Sequence, residues 1–276
     1  MRRVPLSTGV ELAVQDAGHG ETVVLLHAWG ETHRSFDGLT PLLPGSLRLV
    51  VPDQRGVGES GKPAAGYSLR DAGEDVVALL DALAIDSCWL LGTSSGGYIA
   101  QQVAVAHPER VSGLVLVGAP SDLQGPVPEA LARALASFQD PVTRDDIRAV
   151  GGVIPVRTPV PESFLEDQET SALSIPRTVW IAGIEGLVTA APPLRSGTIA
   201  VPTLILWGAD DDILPPSQAQ ELAAAIDGSR LAIYQETGHL VLWERPERVA
   251  ADAAAFIAAN ASGHPADTRQ EKGSPP

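Results

Sequence analysis

The stretch Gly92-Thr93-Ser94-Ser95-Gly96-Gly97 decides how this chain is read. Before it runs Cys88-Trp89-Leu90-Leu91, short and apolar throughout, as a strand buried on both faces is. After it runs Tyr98-Ile99-Ala100-Gln101-Gln102-Val103, part of a longer segment with apolar residues at helical spacing. The hexapeptide is therefore a strand-to-helix turn, and it fits the pattern G-x-S-x-G. A turn this sharp lifts one side chain above the sheet, and residues without bulk must flank it, as Gly92 and Gly96 do. The side chain so lifted is the Ser94 hydroxyl. The helix that begins behind it offers backbone N–H groups and the positive end of its dipole to negative charge forming beside Ser94. Ser95 fits the centre of the motif less well and is read as donating its backbone N–H.

Outward from this turn, β-branched or leucine-rich runs alternate with amphipathic, alanine-rich segments. Strands are expected at about 4–6, 11–16, 23–27, 47–52, 88–91, 111–117, 203–207 and 231–235, and the clearest helices at about 69–83, 96–107, 217–226 and 246–259. That alternation implies an α/β fold, a mostly parallel eight-stranded sheet with helices on both faces. Between about 121 and 198 it stops and prolines cluster. Helices are expected there at about 128–138, 143–150 and 171–186, which reads as an inserted helical cap over the loop edge of the sheet. The expected division is a core of 1–120 and 198–260, a cap of 121–197, and a polar tail of 261–276 with too little apolar surface to order it.

With 276 residues, 44% hydrophobic and 19% charged, the chain is long and apolar enough for one substantial globular core. Its 19 Lys and Arg against 34 Asp and Glu leave a net charge of -15, a surface that repels phosphate backbones and anionic lipid. Neither nucleic acid nor membrane is an expected partner; a small-molecule substrate and a monomer or homodimer are. No apolar run approaches membrane-spanning length, no secretory stretch follows Arg2 and Arg3, and Cys88 is the single cysteine, so the expected location is cytoplasmic.

A serine hydroxyl attacks poorly at neutral pH unless a base takes its proton and a carboxylate orients that base. Thr237-Gly238-His239-Leu240-Val241-Leu242-Trp243-Glu244-Arg245-Pro246-Glu247 lies between the last expected strand and the last helix, and offers His239 as the base. Leu206-Trp207-Gly208-Ala209-Asp210-Asp211-Asp212-Ile213-Leu214-Pro215 offers three consecutive acids after the penultimate strand.

Together these stretches resemble the α/β-hydrolase superfamily, in its small capped group of esterases and lactonases, over roughly the first 120 and last 80 residues. The resemblance implies the order serine, acid, histidine, met by Ser94, Asp211 and His239. The family's G-x-x-D-x-x-x-P spacing, reproduced by Gly208, Asp211 and Pro215, singles out Asp211 over Asp210 and Asp212. Its G-H-x-x-x-x-E-x-P-E pattern is matched by Gly238, His239, Glu244, Pro246 and Glu247. His27-Ala28-Trp29-Gly30 is similar to the family's H-G-x-x loop, which implies an oxyanion hole formed by the N–H groups of Trp29 and Ser95. Ala28 stands where the family has glycine, and a positive φ there would strain its Cβ. Asp53-Gln54-Arg55-Gly56-Val57-Gly58-Glu59-Ser60 is similar to the D-x-R-G-x-G-x-S loop and is read as structural.

What the resemblance implies is a serine hydrolase that cleaves a carboxylic ester or lactone of a small, largely apolar substrate through an acyl-enzyme, with no cofactor. The alternatives with the same three residues are hydrolysis of a carbon–carbon bond and a cofactor-free perhydrolase or haloperoxidase; a ligand-binding regulatory protein on the same scaffold is another. Serine at position 94 speaks against epoxide hydrolase and haloalkane dehalogenase chemistry, which needs a carboxylate there. Tyr98, Phe138, Trp180 and Leu240 are candidates for lining the substrate pocket. His27 is read as structural, His33 as a surface residue and His107 as a helix end. Asp122, after the sixth strand, is the rival acid to Asp211. No set of His, Cys and acidic residues has the spacing of a metal site.

Overall fold

The computed structural model describes residues 1–261, so the tail expected from 261 onward lies, but for its first residue, outside the described residues. Eight strands form one sheet: β1 (Arg2–Pro5), β2 (Glu11–Ala17), β3 (Glu21–Leu26), β4 (Leu47–Pro52), β5 (Cys88–Thr93), β6 (Val111–Val117), β7 (Thr203–Gly208) and β8 (Arg230–Tyr234). Their order is β1-β2-β4-β3-β5-β6-β7-β8. The pairs β1–β2 and β2–β4 are antiparallel and the other five parallel, the mostly parallel sheet that the alternating sequence implies.

The ten helices of the described residues are α1 (Leu69–Ala82), α2 (Ser95–Ala106), α3 (Glu129–Ala136), α4 (Arg144–Gly151), α5 (Glu162–Ala172), α6 (Arg177–Val188), α7 (Pro193–Ser196), α8 (Ser217–Ala225), α9 (Val241–Glu244) and α10 (Pro246–Asn260). Strand side chains alternate between faces, and the two faces carry separate cores. Val24, Leu26, Leu90, Leu116 and Ile205 meet Leu79 of α1, Tyr98 of α2 and Leu222 of α8 on one side. Val23, Leu25, Trp89, Leu91 and Leu206 meet Phe36 and, on α10, Val249 and Ile257 on the other. Every residue of β5 and β7 is buried, so the two strands that lead to Ser94 and Asp211 are held on all sides. No described helix is long and apolar enough to cross a membrane.

Helices α3 to α7 lie between β6 and β7 in the chain, and the apolar faces of α3 to α6 share a third core that includes Leu135, Phe138, Ile147, Ile175 and Trp180, with Val57 from the sheet side, while Leu194 of α7 packs against the first core. Here the sequence reading needs correction. The helix expected over 171–186 is two, α5 and α6, with Pro176 at the N-cap of the second, where its fixed φ starts a helix but cannot continue one. Most of α5 went unread because only Gln168 and Ala172 of its eleven residues are buried, too few to make an apolar stripe. The first strand lies at Arg2–Pro5, two residues earlier than expected.

Candidate active site

Strand β5 ends at Thr93, and Ser94 follows with φ 47 and ψ −120, a conformation that L-residues rarely hold. Its surroundings enforce it. The Ser94 N–H donates to Val117 O at 2.8 Å, while the Ser94 carbonyl accepts from Gly97 N–H at 2.9 Å and Tyr98 N–H at 3.2 Å. The flanking glycines are required by contact: a Cβ on Gly92 would lie 2.4 Å from the backbone of Gly96, and one on Gly96 would lie 2.1 Å from Leu26 O. Strand, turn and helix are thus pressed together at the end of β3.

The loop after β7 carries Asp211 and the loop after β8 carries His239. Asp211 Oδ1 accepts from the backbone N–H groups of Ile213 and Leu214, both at 2.9 Å, which fixes the carboxylate. Its Oδ2 lies 2.8 Å from His239 Nδ1, and His239 Nε2 lies 3.0 Å from Ser94 Oγ. Because a carboxylate only accepts, Nδ1 carries the proton and Nε2 presents its lone pair to the serine hydroxyl. Asp211 and His239 are each 6% exposed, so water competes little for these bonds. The neighbouring acids point elsewhere: Asp212 pairs with Arg157, and Asp122 pairs with Arg195 at 2.7 Å. Glu244 holds the histidine loop. It is 5% exposed and accepts from Gly238 N–H at 3.0 Å and from Thr158 N–H at 2.9 Å, tying residue 239 to the segment before α5.

The Trp29 N–H, expected to face an oxyanion directly, donates to Ser95 Oγ at 2.7 Å. Ser95 opens α2, where backbone N–H groups have no intrahelical acceptor, and its hydroxyl proton has none among the described hydrogen bonds. The strain expected at Ala28 does not arise. The positive φ of this loop, 80, falls on Gly30, where a Cβ would lie 2.4 Å from the Trp180 ring.

His27 supports this loop. Its Nδ1–H donates to Ala28 O at 2.9 Å and its Nε2 accepts from Gln54 N–H at 3.0 Å. Burial pushes the imidazole down to about 4 from its ordinary 6.5, and protonation would also displace the Gln54 donor. The unfolded chain takes up a proton near pH 6.5 that the folded chain refuses until about pH 4. Stability present above pH 6.5 is therefore lost as pH falls through that window, by up to about 3 kcal/mol. Urea unfolding at pH 7 and pH 4.5 should show a loss that is smaller by about 2 kcal/mol in His27→Gln; equal losses would exclude His27 as its source. His33, expected at the surface, is instead half-buried with Nδ1 2.7 Å from Asp53 Oδ1. Asp53 also accepts from Glu59 N–H at 2.8 Å, in keeping with a structural role for its loop.

Two chambers lie beside this site, one with Ser95 and the other with Leu240 in its wall. The larger, about 290 Å³, is lined by Trp29, Glu31, Ile147, Leu165, Gln168 and Leu240 among others. The smaller, about 80 Å³, is lined by Trp29, Ser95, Ile99 and Val179 among others. Trp29 and Trp180 border both, edge to face at 4.9 Å, with Trp29 Nε1–H donating to Trp180 O at 3.0 Å. Of the four expected lining residues, Trp180 and Leu240 are at chamber walls. Tyr98 is not: it is wholly buried in the sheet core beneath α2. Phe138 lies in the helical core against Trp180, ring centroids 5.4 Å apart, and lines neither chamber. Sequence reasoning missed Glu31 and Gln168. Burial raises the Glu31 carboxyl, an effect reduced by its bonds to Ser35 and Ala28 and by nearby His239.

A family model described as "Alpha/beta hydrolase family" matches residues 23–253. The chain is 30% identical over 256 residues to a 2-hydroxy-6-oxononadienedioate/2-hydroxy-6-oxononatrienedioate hydrolase of Klebsiella pneumoniae, across 86% of this chain and 88% of that protein. Among solved structures, an esterase from Exiguobacterium antarcticum superposes with a TM-score of 0.84 at 24% identity, covering 93% of this chain and 98% of that one. A structure described as an N-acyl homoserine lactone degrading enzyme does so with a TM-score of 0.75 at 27% identity, covering 94% and 99%.

Proposed function

Given that the chain belongs to the alpha/beta hydrolase family, we propose that this hydrolase cleaves a carboxylic ester or lactone of a small, largely apolar molecule through an acyl-serine. One observation carries the reading: the unbroken hydrogen-bond chain from Ser94 Oγ through His239 to Asp211, at 3.0 and 2.8 Å. His239 Nε2 takes the hydroxyl proton as Ser94 Oγ bonds to the carbonyl carbon, and the carbonyl electron pair moves onto oxygen. Asp211 stays ionised and stabilises the imidazolium. As the oxyanion collapses, the carbon–oxygen bond to the leaving group breaks, and Nε2–H protonates the departing alkoxide. A water then gives its proton to His239 and attacks the acyl carbon, returning Ser94 and releasing the acid. The apolar chambers and the likeness to a lactone-degrading enzyme support this substrate class.

In this reading Ser95 serves the oxyanion twice, through its backbone N–H and through a hydroxyl that accepts from Trp29 and has its own proton to give. Ser95→Ala removes the second contribution but frees the Trp29 N–H to donate directly, so kcat should fall by only about tenfold, with KM nearly unchanged. An undiminished kcat would remove the hydroxyl from the oxyanion site.

A second reading, cleavage of a carbon–carbon bond beside a ketone, draws on the Klebsiella relative, whose name specifies hydroxy-oxo dioates. Purified protein tested on p-nitrophenyl acetate and butanoate, a γ-lactone and a hydroxy-oxo-dienedioate separates the two. The ester reading expects the first three to be turned over with the larger kcat/KM. A preference for the dioate by tenfold or more would overturn it.

A further inference from the structure

The loops that carry Asp211 and His239, residues 209–216 and 235–240, have no regular secondary structure of their own. His239 Nε2 must nevertheless be kept at its 3.0 Å from Ser94 Oγ, because a small misplacement of a proton acceptor costs a large factor in rate. One buried carboxylate does much of this holding. Glu244, the last residue of α9, is 5% exposed, and its two oxygens accept three backbone N–H groups: Gly238 at 3.0 Å, Arg157 at 3.2 Å and Thr158 at 2.9 Å. Gly238 immediately precedes His239, whereas Arg157 and Thr158 belong to the stretch between α4 and α5. Two distant parts of the chain therefore share one rigid acceptor, and neither can shift without giving up a charge-assisted bond.

The same stretch has a further tie to each loop. The Arg157 guanidinium pairs with Asp212, next to Asp211, and the Thr158 hydroxyl donates to Glu236 O at 2.6 Å, three residues before His239. Asp210 N–H donates to Thr237 O at 2.9 Å, which joins the two loops to each other. Contact is also direct: a Cβ on Gly238 would lie 2.7 Å from Arg157 Cγ. Val156, one residue earlier, is in the wall of the larger chamber. The stretch thus runs from that chamber to both loops without a break.

We propose that Arg157, Thr158 and Glu244 are positioning residues: the stretch between α4 and α5, acting through the Glu244 carboxylate, sets the Asp211–His239 pair against Ser94 and so contributes to the rate of the chemical step. This rests on His239 serving as base to Ser94, as in the reading above, and not on which ester is cleaved.

The test compares wild type, Glu244→Gln, the double variant Arg157→Ala/Thr158→Ala, and Thr158→Ser, with p-nitrophenyl acetate as substrate and a fluorophosphonate as probe. Glu244→Gln keeps the shape but turns an NH₂ group toward one of the three N–H donors, and kcat should fall by about 100-fold with KM changed by less than about threefold. The double variant leaves the carboxylate in place and cuts only the two side-chain ties, so kcat should fall by about tenfold with KM nearly unchanged. Its Tm should drop by only about 2 °C, because both ties are partly exposed. Thr158→Ser keeps the hydroxyl and should stay within about twofold of wild type. The rate at which the fluorophosphonate labels Ser94 should fall in step with kcat, since it needs the same base. The low-field proton resonance of His239 Nδ1–H, which reports its bond to Asp211, should broaden in both impaired variants. A purely structural role would lower Tm and leave kcat, labelling rate and resonance as they are. Values of kcat and labelling rate within about twofold of wild type in the double variant, or in a folded Glu244→Gln, overturn the proposal; if Glu244→Gln does not fold, the double variant decides. Failure of the wild-type protein to hydrolyse any ester would strike the ester reading alone, and the labelling rates and the resonance then decide by the same comparison.

Discussion

Ser94→Ala is expected to lower kcat on a short ester by about 10⁴-fold or more while the protein stays folded. The loss follows from the chemistry: without Oγ no acyl-enzyme forms, and what remains is whatever the oxyanion donors and binding do for direct attack by water. The fold should tolerate the change because alanine inherits the same unusual φ and ψ and the bonds that enforce them, Ser94 N–H to Val117 O and Gly97 N–H to Ser94 O, are backbone bonds. Only the 3.0 Å bond to His239 Nε2 is lost. A fluorophosphonate should label the wild-type protein at Ser94 and leave Ser94→Ala unlabelled. Labelling of Ser95, or activity within tenfold of wild type, would move the nucleophile. The geometry opposes that outcome, since Ser95 Oγ lies 2.7 Å from the Trp29 N–H and has no base beside it.

The parts of this molecule legible from the sequence are those where one physical constraint dominates. Strands β5 and β7 are buried on both faces and so are written almost wholly in apolar residues. The turn at 92–97 is written in glycine because backbone passes within contact of it. Asp211 is marked by spacing to Gly208 and Pro215, and the structure supplies the reason: only at that position does the carboxylate accept from Ile213 and Leu214 while reaching His239. Legibility ends where a residue answers to two demands. Tyr98 follows the serine closely enough to suggest a pocket wall, yet the first turn of α2 faces the sheet, and the ring goes into the core. Ala28 suggested a strained loop; the bend falls two residues later, on Gly30, whose missing Cβ admits the Trp180 ring. Gln168 and Glu31 are polar residues in an apolar chamber, which no periodicity announces because the chamber belongs to several elements at once.

The largest effect on stability should come from a single methyl group. In Gly96→Ala the new Cβ would lie 2.1 Å from Leu26 O and 2.7 Å from Leu26 C and His27 O. These are backbone atoms at the end of β3, a strand paired on both sides within the sheet, so no side chain can rotate away to relieve the clash. Helix α2 must instead move off β3, at a cost of about 3 kcal/mol or more and a fall in Tm of about 10 °C. Gly151→Ala is the control. It sits in α4 with no heavy atom within 4 Å of its added Cβ, and alanine there should be neutral or stabilising by about 0.5 kcal/mol. The same movement should act on catalysis. Strand β3 leads into Trp29 and α2 begins at Ser95, so the 2.7 Å contact between them measures the spacing that the missing Cβ permits. Whatever Gly96→Ala protein remains folded should therefore lose kcat more than it loses substrate affinity. If it melts within a degree or two of wild type and keeps its kcat, α2 and β3 separate without penalty, and the donors around Ser94 are positioned by something other than that contact.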